Sequence, residues 1–180
     1  MEPMSSADKK EVVAEGKYLQ LIKEGPWEYV HRCKGVGASA IVAVTRDQEI
    51  VLVEQYRIPM GASVIDLPAG LVGDDSDEDD YLVAAQRELL EETGYTARSW
   101  KFLVAGPASA GLATEVVHFY LAKQAKKVAE GGGVAGENIT VHVVPLSRIN
   151  AWFKRQEKSG KLIDVKAFFA ASWLAASQKS

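Results

Sequence analysis

The 180-residue sequence predicts an α+β fold. Strand-like segments come in groups instead of alternating with helices, one helix with a clear apolar stripe stands near the middle, and two more helical stretches close the chain. The hydrophobic fraction of 47% suffices for one sizeable core, and the length argues against two large domains.

From "EVVAEGKYLQLIKEG" to "WEYVHRCKG" the loosely alternating residues, broken at Gly16, Gly25 and Pro26, predict two or three antiparallel strands. "AIVAV" and "IVLVEQY" flank the turn-like "RDQE" and predict a buried hairpin. "VIDLPAGLVG" reads as a strand running into a Gly-rich loop, and the acidic tract "DDSDEDD" separates it from a helix. In that helix, "DYLVAAQRELLEETG", Leu82, Ala85 and Leu89 make a core stripe, Val83 and Leu90 widen it, and Gly94 ends it. "WKFLVAG" and "VVHFYLAKQA" read as strands joined by "PASAGLAT", and "EGGGVAGEN" as a mobile loop before the strand "ITVHVVP". "SRINAWFKRQEKSG" and "DVKAFFAASWLAAS" read as helices, with Ser147 and Asp164 as N-caps.

Composition narrows the function classes. A net charge of -3 gives no general basic field for a nucleic-acid backbone. Cys33, the single cysteine, excludes an intrachain disulfide and a thiolate-rich zinc site, and suits a reducing cytosol. "MEPMSSADKK" has no apolar leader core, and no stretch is apolar for the length a bilayer needs, so the expectation is a soluble, cytoplasmic protein.

"QRELLEETGY" places Glu88, Glu91 and Glu92 at i, i+3 and i+4, on one helical face, where they repel one another. A solvated acidic face is the plain reading. The alternative is a bound cation, and hard oxygen donors select magnesium or manganese over zinc. Arg87 precedes Glu91 by four residues, within reach for pairing, and Ala69 and Gly70 lie where a backbone carbonyl could join such an ion.

"RELLEETGY" resembles the second half of the Nudix hydrolase pattern G-x5-E-x7-R-E-U-x-E-E-x-G-U, where U is bulky and apolar. The first half departs: Asp79 stands where the family has Glu, and the glycine is Gly73 by spacing or Gly70 by its "LPAG" context, which we favour with a loop insertion. The resemblance implies an α/β/α sandwich with a mixed sheet, here with a small N-terminal antiparallel sheet. It implies Glu88, Glu91, Glu92 and the Ala69 carbonyl as metal ligands for Mg2+, with Mn2+ as a substitute, and Arg87 orienting Glu91.

From about Trp27 to Trp173 the chain resembles the branch that cleaves ADP-ribose and related nucleoside diphosphate sugars. "VLVEQYR" carries Arg57, "DLPAG" has Asp66 where Glu is common, "ASAGLATEVVHFYLA" has Ala110 replacing a proline and Glu115 in an acidic position, and "AGENITVHVVPL" places Glu137 on a catalytic loop. The resemblance implies catalysis by Glu137, Glu91 and Arg87, and substrate contacts from Trp27, Arg32, Arg57 and Glu115. It also implies a homodimer exchanging N-terminal strands, with residues 1–38 as the dimerisation segment, 39–180 as the hydrolase domain, and Trp27 and Arg32 serving the partner's site. Without function, Arg57 is an edge arginine, Glu115 a strand-end charge, Trp27 a core aromatic, and Glu137 a solvated loop residue. His31, His118 and His142 lack metal spacing and are read as packing or hydrogen-bonding groups. A nucleoside triphosphate pyrophosphohydrolase and a non-catalytic nucleotide sensor are the rival readings. An isoprenoid diphosphate isomerase would need a cysteine near the site, and Cys33 is far from it in sequence.

Overall fold

The computed structural model describes residues 9–35, 37–73, 80–134 and 136–177. Asp79 and the tract "DDSDED" lie outside the described residues. Three strands, β1 (Glu11–Glu15), β2 (Leu19–Glu24) and β3 (Trp27–Arg32), form an antiparallel sheet in that order, as their alternation predicted. This sheet is fastened to the rest of the chain through β3: the Val30 amide donates to the Leu112 carbonyl at 2.8 Å, and the Thr114 amide to the Val30 carbonyl at 3.2 Å.

The large sheet is built from β4 (Gly37–Thr45), β5 (Glu49–Arg57), β6 (Ala62–Asp66), β7 (Ala69–Val72), β8 (Tyr95–Thr96), β9 (Ser99–Pro107), β10 (Val116–Lys127), β11 (Thr140–Pro145) and β12 (Leu162–Ile163). It is mixed, because β10 pairs with β4 and β12 with β6 in parallel while the other ladders are antiparallel. Helices α1 (Tyr81–Thr93), α2 (Ile149–Lys158) and α3 (Val165–Ser177) complete the fold.

Side-chain alternation sorts the central strands onto two buried faces. Ala40, Val42, Val44, Ile50 and Leu52 pack against Ile149 and Phe153 of α2 and the Ala167, Ala170, Ala171 and Leu174 stripe of α3. Ile41, Ala43 and Val51 pack on the opposite side against Ala85 and Leu89 of α1. Both faces are covered, which is why "AIVAV" and "IVLV" are continuously apolar rather than alternating. Each fully buried Ile or Leu here contributes roughly 1.5–3 kcal/mol.

One departure from a plain sheet positions everything that follows. Strands β4 and β5 pair only beside their turn, at Ala43–Val51 and Val44–Ile50. They then diverge. The first half of β4 pairs with β7, and the second half of β5 pairs with β6. Leu67 and Pro68 are buried at the apex of this wedge, where the Ile41 amide donates to the Pro68 carbonyl at 2.8 Å. Strands β6 and β7 share no ladder among the described residues, so the sheet stays open between them.

Three expectations need correction. Ala69–Val72 is a strand rather than a loop, because the diverging edge of β4 supplies hydrogen-bond partners that the sequence alone does not reveal. Val83 and Leu90 are 54% and 41% exposed and do not widen the core stripe; the buried face of α1 runs through Ala85, Leu89 and Glu92 instead. Ser147 caps nothing, since it sits within a short 3-10 turn (Leu146–Arg148) that leads directly into α2. Asp164 does cap α3, with its Oδ1 accepting the Lys166 amide at 2.9 Å.

Gly94 ends α1 in the left-handed conformation at φ 73°, and its amide donates to the Leu90 carbonyl at 2.8 Å. A Cβ there would collide with the Ala129 carbonyl and the Glu130 backbone. Gly94→Ala should therefore destabilise the fold by more than the roughly 1–3 kcal/mol of backbone strain alone. A urea midpoint equal to that of the unaltered chain would show that residues 129–130 do not hold this contact.

Candidate active site

A cavity of about 1030 Å³ opens where β6 and β7 part. Arg32, Arg57, Ala69, Arg87, Glu88, Glu91, Glu92, Glu115 and Glu137, nine of the ten residues singled out from the sequence, line it. Trp27 does not. It is 49% exposed and lines a separate pocket of about 350 Å³ beside Tyr29 and the 110–114 loop.

The three α1 carboxylates occupy different environments on their common face. Glu91 is exposed, Glu88 is half-buried, and Glu92, in line with Ala85 and Leu89, is only 7% exposed. The Glu92 Oε2 accepts the Ala69 amide at 2.9 Å, tying helix to wedge. Burial pushes the Glu92 carboxyl up to about 8; the Ala69 hydrogen bond opposes this, and the charges of Glu88 and Glu137 add to it. Glu88 is also raised by burial, against the pull of Arg87. Gly70 makes room for Glu88, because any Cβ at Gly70 would occupy the space of that carboxylate. Arg87 Nη2 lies 3.4 Å from Oε1 of Glu88, its neighbour in the chain.

The glycine tract serves a purpose that its composition did not disclose. Gly131, Gly132 and Gly133 all have positive φ, at 76°, 107° and 80°. The Gly132 amide donates to the Glu92 carbonyl at 2.8 Å and the Gly133 amide to the Glu91 carbonyl at 3.0 Å, so the tract caps the end of α1. The segment expected to be a mobile loop is thus clipped to the helix that bears the carboxylates. Beyond the clip, Glu137 Oε2 accepts the Val134 amide at 2.8 Å, and Gln55 Nε2 donates to the Glu137 carbonyl at 2.9 Å. A Cβ at Gly133 would overlap the Glu137 carboxylate. Gln55 and Gly133 escaped the sequence reading because their contacts cross 82 residues in one case and depend on backbone conformation in the other.

On another wall Arg32 Nε meets Glu115 Oε2 at 2.5 Å, joining β3 to the start of β10 within one chain. Asp66, buried at the end of β6, accepts the Leu67 amide at 2.7 Å and pairs with Lys166 Nζ at 2.9 Å; Lys166 in turn pairs with Asp164 at 2.7 Å. Nothing in the sequence pattern marked Lys166, which lies on the last helix of the chain. The histidines behave as expected: His31 Nδ1 is 2.8 Å from Thr114 Oγ1, His118 stacks on Tyr81, and His142 Nε2 is 2.8 Å from Glu54 Oε2.

Among the described residues, seven carboxylates and four cationic side chains line the cavity. That excess of negative charge, made of hard oxygen donors and partly buried, suits a divalent cation in type and sign. In this arrangement no three His, Cys, Asp or Glu side chains among the described residues converge closely enough to hold an ion.

Glu92 makes the metal-free protein pH-sensitive. Its folded-state value of about 8 lies above the ordinary 4.5, so the folded state binds the extra proton in between. The associated stability is fully present below about pH 4.5 and is lost as pH rises through about 8, amounting to something on the order of 5 kcal/mol. Glu92→Gln keeps an oxygen for the Ala69 amide and should flatten this slope in urea titrations run with chelator from pH 5 to 9. An unchanged slope would show that Glu92 ionises freely in the folded chain.

Comparison with known proteins matches this architecture to a family. Residues 35–164 match the NUDIX domain model. Similar proteins include a methanol dehydrogenase activator of Bacillus methanolicus, 36% identical over 138 residues (77% of this chain and 71% of the relative). An ADP-ribose pyrophosphatase of Bacillus subtilis is 32% identical over 171 residues (92% and 89%), and a GDP-mannose pyrophosphatase of Escherichia coli K12 is 29% identical over 150 residues (78% and 76%). With the helix, wedge and glycine clip in place around one acidic cavity, the chain belongs to the NUDIX domain family.

Proposed function

We propose that this Nudix pyrophosphohydrolase cleaves the diphosphate of nucleoside diphosphate sugars, ADP-ribose or a related one such as GDP-mannose, giving a nucleoside monophosphate and a sugar phosphate. The observation that carries the reading is the gathering of Glu88, Glu91, Glu92, Glu137, Arg57 and Arg87 around one cavity large enough for such a substrate. The similarity to pyrophosphatases named for ADP-ribose and GDP-mannose supports the substrate class. The intact Glu88, Glu91 and Glu92 of the second half of the pattern argue against a sensor that has lost catalysis.

A diphosphate is shielded by its own negative oxygens, so attack by water needs neutralisation and a positioned proton acceptor. Glu88, Glu91, Glu92 and the Ala69 carbonyl would hold Mg2+, with Mn2+ as a substitute, and a cation bound there offsets phosphate charge and acidifies water. Arg57 and Arg32 add positive charge to the lining of the same cavity. Glu137 is the candidate base: it lines the cavity from the glycine-clipped loop, and its carboxylate accepts the Val134 amide, a contact that is readily exchanged for a water. Arg87, beside Glu88, steadies the α1 carboxylates.

The exposed Trp27 fits the second part of the reading, a homodimer in which residues 1–38 carry Trp27 to the partner's site while residues 39–180 form the hydrolase domain. The start of the family match at residue 35 supports that division. Among the described residues no helix is long and apolar enough to cross a membrane, and the single cysteine suits the cytoplasm.

Chelation should abolish hydrolysis of ADP-ribose and Mg2+ should restore it. Glu137→Gln should lower kcat by about 10²–10⁴ with KM within a few-fold, the pattern of an interaction made in the transition state. Wild-type kcat at saturating Mg2+ would move the base to α1. A monomeric mass by light scattering at micromolar concentration would refute the dimer.

A further inference from the structure

We propose that Asp164, Lys166 and Phe169, at the start of α3, form the subsite for the sugar half of the substrate, an inference that rests on the reading above. All three line the main cavity, on its side opposite α1 in the three-layer arrangement. Their chemistry matches a hydroxylated ring. An ammonium carries three hydrogens, and Lys166 commits two, to Asp66 Oδ2 at 2.9 Å and Asp164 Oδ1 at 2.7 Å. The third is left for an oxygen in the cavity. Asp164 makes its contacts with Lys166 through Oδ1, leaving Oδ2 to accept from a hydroxyl. A donor and an acceptor this close can engage two neighbouring hydroxyls, each of which both donates and accepts. Phe169, one turn along the same helix and 61% exposed, offers a flat ring whose negative face attracts the C–H edge of a sugar.

The charge balance decides against a phosphate at this spot. Two carboxylates surround one ammonium, so the cluster is net negative and repels an anion, while a neutral polyol meets no such cost. The diphosphate is thereby left to the arginines and α1 carboxylates on the other walls. The cluster is also built rather than incidental, since Asp66 is 8% exposed and its pairing fixes the Lys166 ammonium in place.

The test compares ribose 5-phosphate with AMP, the two halves of ADP-ribose, by NMR titration of the full chain, with mannose 1-phosphate and GMP in parallel. Lys166→Met and Phe169→Ala should weaken binding of one or both sugar phosphates at least tenfold, leave AMP and GMP within twofold, and raise KM for the matching nucleoside diphosphate sugar. Weaker binding of the nucleotides instead would make this a base or nucleoside subsite and overturn the proposal. Unchanged binding of all four ligands would reduce the cluster to a clamp between α3 and β6. Because Lys166→Met leaves buried Asp66 without its cation, Phe169→Ala, at an exposed ring, separates binding from folding, and a thermal melt of each variant accompanies the titrations. If the unaltered protein hydrolyses no nucleoside diphosphate sugar, the proposed function fails, yet the sugar phosphate titrations still decide the subsite. Absence of sugar phosphate binding to the unaltered protein overturns it.

Discussion

The divergence of β4 from β5 is the constraint on which the remaining structure depends. Buried backbone amides and carbonyls must be paired, so two central strands can part only if other strands take up the freed groups. Strands β6 and β7 do so, one on each side, with Pro68 at the apex where its missing amide leaves no donor unsatisfied. The chain segment between them cannot itself be a ladder, and the sheet opens into a cavity at its centre instead of at its rim. Polar side chains can face this opening from both helical layers while the apolar faces of β4 and β5 remain covered.

Helix α1 links this opening to the chemistry by using both its side chains and its backbone. Its buried stripe ends in Glu92, whose carboxylate grips the first amide of β7. Its last carbonyls, which no helix can satisfy internally, accept from Gly132 and Gly133, and that capping sets the start of the segment reaching Glu137. Any rotation of α1 about its axis would disturb the wedge, the acidic wall and the Glu137 loop together. The positive φ of three successive glycines is the local condition for this coupling, which reads differently from a simple requirement for flexibility.

Much of this was visible in the sequence because local rules governed it. The spacing in "QRELLEETGY" placed three carboxylates on one helical face, and nine of the ten selected residues do meet at one cavity. What stayed hidden was non-local. No alternation marks Ala69–Val72 as a strand, since its partner is a β4 edge made available by a divergence elsewhere. Lys166 carries no motif, and its role at the cavity follows from a pairing with Asp66 one hundred residues away. The error at Val83 and Leu90 has the same origin: the helix buries the face directed at the wedge, and a glutamate there outranks two apolar residues that face solvent.

That choice of a buried glutamate over a leucine is costly for the folded chain on its own. A carboxylate at 7% exposure, with one backbone amide and two like charges nearby, is held largely in its protonated form near neutral pH. A hydrophobic side chain in line with Ala85 and Leu89 would extend the core without that penalty. The penalty has a physical use only if something positive takes the proton's place. A divalent cation at the acidic wall would stabilise the charged form of Glu92, so the energy withheld from folding becomes available to ligand binding. The same logic applies to half-buried Glu88, whose carboxyl burial also raises, so two neighbouring positions of one helix face hold carboxylates whose charged forms await a positive partner.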